Sequence, residues 1–264
     1  MVEQTGAAWL ILTTTHGRHN FPAPIQAIDR VLPGHTTRRD LIMEIADALE
    51  KRGVRLMLYY HIGLDEEAWP KAAGYFEADK TRWFENTIAI HREIGERYGK
   101  KTWGWFFDDA HKWYYPCDFP WEPYYEAIKT GNPERLVAFN PGTRPSMTPF
   151  GDLLASDNGS SLRPPMNKIY FDEGGDYAGL LQHFSFTLES AWVIKSPKQV
   201  SGGKFPDPVH RADQLVDYVR TCQAAGVPVT MNILTTQDVT REKPFVNEKT
   251  LDQLRQVRKA VRRL

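Results

Sequence analysis

The chain has 264 residues, 41% of them hydrophobic and 12% aromatic, enough for one domain with a substantial core. Its 33 Lys and Arg balance its 33 Asp and Glu, so no overall field favours nucleic acid or a membrane surface, and neither is expected as a partner. Cys117 and Cys222 lack metal-ligand spacing, no stretch approaches the ~20 apolar residues of a membrane span, and residues 1–9 lack the basic start and apolar core of a signal peptide, which leaves localisation open.

The run "AWLILTTT" (8–15) reads as a buried strand that stops at "HGRH", where His16 and His19 stand three positions apart. After a loop carrying Pro22, Pro24, Pro33 and Gly34, Thr37 stands three residues before Asp40 as in a capping box. Leu41, Ile42, Ile45 and Leu49 then follow helical spacing, and Gly53 closes the helix. "VRLMLYYH" (54–61) reads as a second strand, residues 81–99 as a helix with Phe84, Ile88 and Ile94 facing one way, and "TWGWFFDD" (102–109) as a third strand. The alternation continues with "EPYYEAIKTG" (helix), "RLVAFNPG" (strand), an irregular Pro/Gly/Ser-rich region around 141–168, and strands at "KIYFDEGG" and "FSFTLES". It closes with "RADQLVDYVRTCQAAG" (helix), "VPVTMNI" (strand) and a helix from about 248, whose basic "RQVRKAVRR" suits the negative end of the helix dipole.

Strand alternating with helix implies parallel strands joined by crossover helices. Neither a glycine fingerprint after the first strand nor a phosphate loop is present, so the expected α/β fold is a (β/α)8-type TIM barrel rather than an open doubly wound sheet. With no linker and no internal repeat, residues 1–264 read as a single barrel domain.

Barrel sites lie at the carboxyl ends of the strands. Those ends read His16 and His19, Tyr60 and His61, Asp108 and Asp109, Asn140, and Asn232. "WFFDD" stands out because an acidic pair directly ends an apolar strand, although Asp109 also suits the N-cap of a following turn. Aromatics crowd the same stretch: Trp103 or Trp105 is expected in the core, and Trp113, Tyr114, Tyr115, Trp121, Tyr124 and Tyr125 follow in or near the loop, where flat rings with polar handles suit sugars. Carboxylate with aromatics points to a carbohydrate partner. Glycoside hydrolysis usually takes two carboxyl groups, and with Asp108 as the first, the second stays open among Asp152, Asp157, Asp172, Glu173 and Glu189.

Residues 3–61 resemble the first third of the α-L-fucosidases of glycoside hydrolase family 29. That family reads E-x-x-G-A-K-Y, T-x-K-H-H-D-G-F, K-R-D-L and G-L-x-F-G-x-Y-Y-S, and Glu3, Gly6, Ala7, Thr13, Thr14, His16, Phe21, Arg39, Asp40, Leu41, Gly53, Tyr59 and Tyr60 fall into that frame. "WFFDD" resembles the family's W-F-D-G strand end, which implies that Asp108 is the nucleophile; "FNPG" and "GDLLASD" resemble the stretch that implies Asp157 as acid/base, with Glu189 next. The closing "LVDYVRTCQAAGVPVTMNI" resembles the family's last helix and G-N-x-L-L-N-I strand. Three departures stand beside the likeness: the adjacent histidine pair is split by Gly17 and Arg18, "TLESAWV" matches the W-E-x-x region poorly, and the chain begins at the family's second strand. The barrel is therefore expected to be incomplete or irregular, its edge covered by C-terminal elements or by a partner subunit in a homo-oligomer, or the chain to be a fragment of a longer product.

The resemblance implies a retaining glycosidase with no cofactor and no metal. His16, His19, Tyr60, His61, Asp109, Trp113 and Asn140 are expected to hold hydroxyls or stack on the sugar. Two alternatives remain: a metal-dependent hydrolase with His16, His19, His61 and Asp108 as ligands, and a carbohydrate-binding homologue without catalysis.

Overall fold

The computed structural model describes all residues except 63, 65, 112–113, 117, 142–147, 149, 166–180, 194–204, 236–244 and 263–264. Seven strands follow one another in the sheet in chain order: β1 (Trp9–Thr13), β2 (Arg55–Tyr60), β3 (Thr102–Phe107), β4 (Leu136–Phe139), β5 (Leu153–Asp157), β6 (Leu181–Thr187) and β7 (Val229–Asn232). Pairing is parallel, as in Ile11 with Met57, Met57 with Gly104, Gly104 with Leu136, Ala138 with Leu153 and Phe184 with Val229. Sequential parallel order is the connectivity of a barrel sheet, whereas a doubly wound sheet reverses order at its switch point. The described strands number seven, against the eight of the expected barrel. β5 lies inside the region expected to be irregular, because "LLASD" offers only three consecutive apolar residues; "KIYFDEGG" lies outside the described residues.

The chain divides into two compact units, Ala8–Leu154 and a second made of Met1–Ala7 with Ala155–Leu264. In the first, the strands are joined by α2 (Gln26–Val31), α3 (Leu41–Glu50), α4 (Ala68–Ala73), α5 (Thr81–Tyr98) and α6 (Trp121–Lys129). Asp40 itself caps α3, accepting the Met43 N–H at 2.9 Å, whereas the Thr37 hydroxyl donates to the Arg39 carbonyl. Asp40 also accepts from Arg97 Nε and Tyr98 Oη at 2.8 and 2.9 Å, which ties the start of α3 to the end of α5. The inner face of α5 is Trp83, Thr87, Ile90, His91, Ile94 and Tyr98, while Phe84 and Ile88 are half-buried. The polar His91 occupies the middle of that face, packed against Tyr60, Trp105, Phe107 and Tyr124. β1 is half-buried rather than buried, since within its unit it has β2 as its single strand neighbour. Of the two tryptophans considered for the core, Trp105 is fully buried with Nε1 donating to the Ile128 carbonyl at 3.2 Å; Trp103 is 39% exposed beneath the Arg55 guanidinium.

Arg135 is completely buried where α5 and α6 end. Its Nε donates to the Thr102 carbonyl, Nη1 to Ile128 and Thr130, and Nη2 to Gly95 and Gly99, at 2.7–3.3 Å. Carbonyls at helix C-termini carry the negative end of the dipole, so among the described residues the cation is stabilised by backbone alone. Burial still pulls its pKa down to about 10. The two helices approach so closely at Gly95 that a Cβ there would lie 2.7 Å from the Thr130 carbonyl oxygen.

In the second unit α1 (Val2–Thr5), α7 (Ala212–Ala224) and α8 (Glu248–Val261) accompany β6 and β7. Phe184, Phe186, Leu188, Leu215, Cys222, Val227, Leu254 and Val257 form its core, so Cys222 is a buried free thiol; Cys117 lies outside the described residues. Asn247 caps α8 by accepting the Lys249 N–H at 3.0 Å. The basic end of α8 is a solvated face: Arg255 pairs with Glu248 and Asp252, and Arg258 donates to the Glu3 carbonyl at 2.6 Å. Among the described residues no helix is long and apolar enough to cross a membrane.

Candidate active site

β2 ends on two tyrosines, and strand alternation sends them to opposite faces. Tyr60 goes to the helix side, edge-on to His91 and Trp105, with its hydroxyl 2.7 Å from His19 Nε2. Tyr59 goes to the other face and stacks on Phe106, its register partner in β3, at 5.6 Å between centroids. Asp108 follows Phe106 by two residues and so emerges on that face, where Tyr59 Oη donates to its Oδ2. The other carboxylate oxygen, Oδ1, accepts from Asn140 Nδ2 at 2.6 Å. Asn140, buried just beyond β4, is held in place by its own N–H, which donates to the Phe107 carbonyl at 2.8 Å. The ends of β2, β3 and β4 thus converge on one carboxylate, each by one residue.

Behind Tyr59 stands His16, Nδ1 2.8 Å from the tyrosine oxygen. Since Tyr59 gives its single hydrogen to Asp108, His16 Nδ1 is the donor of that contact. Asp109 points elsewhere. Its Oδ2 accepts from His61 Nε2 at 3.2 Å and its Oδ1 lies 3.3 Å from His111 Nε2, and both imidazoles are buried. The hydrogen bond from His61, reinforced by charge from both histidines, holds the Asp109 carboxyl below the usual carboxylate range despite partial burial. The His61 ring lies 5.0 Å from that of His16 and edge-on to Tyr114, which also packs on His111.

His16, His61, Asp108, Asp109 and Asn140 therefore meet on one side of the first unit, with Tyr59 and His111 added, two residues that sequence reasoning missed as site groups. Tyr59 could have been found had the β2–β3 register been known, because pairing with Phe106 puts it beside Asp108. His19 and Tyr60 lie on the helix side; the His19 ring stacks on Trp69 at 3.5 Å, and burial pushes its pKa well down. Trp113, Asp172 and Glu173 fall outside the described residues. Asp152 accepts from Lys129 Nζ and the Val137 N–H at 2.9 and 2.8 Å. Asp157 and Glu189 belong to the second unit. Asp157 is exposed and accepts from the Ser185 hydroxyl at 2.8 Å. Glu189 is enclosed, accepting from the Thr250 hydroxyl and the Leu234 N–H, and burial raises its pKa. Asn232 in the same unit donates to the Trp192 carbonyl at 3.0 Å. Among the described residues no group of three or more His, Cys, Asp or Glu side chains is arranged to hold a metal ion.

No family model matches the chain, and no curated protein matches it. Solved structures do match. An endo-fucoidan hydrolase of glycoside hydrolase family 107 superposes with a TM-score of 0.68 at 15% identity, over 97% of this chain and 48% of that one. Alpha-L-fucosidase isoenzyme 1 from Paenibacillus thiaminolyticus gives 0.66 at 17% identity, over 97% and 60%. The unliganded alpha-L-fucosidase AlfC from Lactobacillus casei gives 0.61 at 17% identity, over 97% and 75%. The chain thus shares a fold with these hydrolases and spans about half the length of the first of them.

Proposed function

We propose that the chain is a retaining glycosidase acting on an α-L-fucoside or a related glycan, with Asp108 as nucleophile. The observation that carries this is the Asp108 carboxylate at the mouth of β3, fixed by Tyr59 and Asn140 from the strands on either side. A carboxylate that must form a bond to the anomeric carbon gains most from being aimed before substrate arrives. The structures with this fold are named for the hydrolysis of fucoidan and of α-L-fucosides, so the fucoside is the substrate to try first.

In the first half of the reaction Asp108 would attack the anomeric carbon and form a glycosyl ester while an acid gives a proton to the departing oxygen; in the second, water releases the sugar and returns that proton. Asp109 is a poor acid for this step, because its histidines keep it ionised. The proton donor is assigned on sequence register alone, to Asp157 with Glu189 next. His16, His61 and Asn140 would meet sugar hydroxyls on the Asp108 side; Trp113 joins them by its place in the sequence alone, and His19 and Tyr60 would support them from behind.

The test is release of nitrophenol from an aryl α-L-fucoside and a panel of other aryl glycosides, by wild type, Asp108→Ala and Asp157→Asn, with and without chelator. Turnover that disappears in Asp108→Ala and ignores chelator supports the reading and identifies the sugar. Chelator-sensitive turnover points instead to a metal hydrolase. Saturable sugar binding that survives Asp108→Asn, with no turnover of any glycoside, makes the chain a binding homologue.

A further inference from the structure

Asp109 carries the one positive φ, +50°, found at a non-glycine residue among the described residues. Glycine would adopt that left-handed conformation without steric penalty; an aspartate there is tolerated but disfavoured. Its side chain is held at both ends, Oδ2 by His61 from beyond β2 and Oδ1 by His111 from the loop after β3. The backbone around it is equally tied, with the His111 N–H donating to the Asp109 carbonyl at 2.7 Å and the Ala110 N–H to the Asn140 carbonyl at 2.8 Å. The turn that immediately follows Asp108 is thus locked by two buried imidazoles gripping one carboxylate.

We propose that Asp109 is a positioning residue for Asp108: clamped by His61 and His111, it fixes the left-handed turn from which the Asp108 carboxylate is aimed at Tyr59 and Asn140. The role of Asp108 rests on the glycosidase reading; the clamp itself does not. A carboxylate bound on both oxygens by imidazoles from two segments cannot swing, and neither can the peptide that joins it to Asp108. A turn built on glycine would take up the same φ more easily but would lack this carboxylate and with it both ties to imidazole.

Asp109→Gly is the informative variant, because it relieves the backbone while it removes the carboxylate that both imidazoles hold. Its crystal structure is expected to show Asp108 turned away from at least one of Tyr59 and Asn140. Its kcat on the best aryl glycoside is expected to fall about a hundredfold, a larger change than that in KM, as a misaimed reacting group would produce. Asp109→Asn, which tolerates the same φ and keeps one acceptor, is expected to recover part of that loss. An Asp109→Gly enzyme with both Asp108 hydrogen bonds intact, or with wild-type kcat, overturns the proposal. Should the wild type turn over no glycoside, the functional reading fails, and the crystal structure of Asp109→Gly still decides the clamp by whether Asp108 has moved.

Discussion

Two donors from different strands share the carboxylate of Asp108, so removing either leaves the other to hold it alone. Tyr59→Phe keeps the stack on Phe106 and deletes only the hydroxyl, and a hydrogen bond to a charged group is worth about 1.5–3 kcal/mol. Turnover by Tyr59→Phe is therefore expected to fall between about tenfold and a hundredfold in kcat/KM, measured on the aryl glycoside that the wild type prefers. Asn140→Ala is expected to fall by a similar factor, and the double variant by less than the product, because both act on one group. Asp108 and Asn140 were legible in the sequence because each ends an apolar run with a polar residue. Tyr59 was not, because choosing between it and Tyr60 takes the register of β2 on β3, and a slip of one residue exchanges their faces. His111 was hidden for another reason: nothing in "DDAH" says that a loop histidine folds back to the carboxylate two residues before it.

Helices α5 and α6 are joined at their ends by Arg135, whose five bonds to carbonyls use every N–H of the guanidinium. Lysine brings three donors from a single point, so Arg135→Lys would leave at least two of those carbonyls without this donor. Urea unfolding of that variant is expected to show a loss of about 3 kcal/mol. Gly95→Ala pushes a methyl into the Thr130 carbonyl and is expected to cost about 2 kcal/mol in the same measurement. Hydropathy patterning reads an arginine as surface and a histidine as polar, which is why neither Arg135 nor the inner face of α5 around His91 could be read from it. The long apolar runs of β2 and β3 were legible because a strand covered on both sides needs no alternation. β5 was not, since its short "LLASD" lies amid turn-forming residues.

Each unit buries a histidine that it keeps neutral: His91 in the first and His183 in the second, both pulled by burial from an ordinary value near 6.5 to about 4. Above pH 6.5 neither state of the chain takes up these protons. Between pH 6.5 and 4 the unfolded chain binds them and the folded one resists, so stability falls with pH, by about 3 kcal/mol per histidine at pH 4. Thermal unfolding followed from pH 7 to pH 4.5 is expected to show a steadily falling Tm; a flat profile would contradict it. The parallel sequential topology was readable from strand alternating with helix, but membership of the first seven residues in the same unit as the last helix was not. Arg258 reaches back across 255 positions to the carbonyl of Glu3, and Arg255 donates to Gln4 at 2.6 Å. A ribosome adding about 5–20 residues per second delivers Glu3 roughly 10–50 s before Arg258 exists. Ala8–Leu154 has all of its own sequence to fold with about 5–20 s before Arg258 is added, while the amino-terminal turn waits for a partner 255 positions further along the chain.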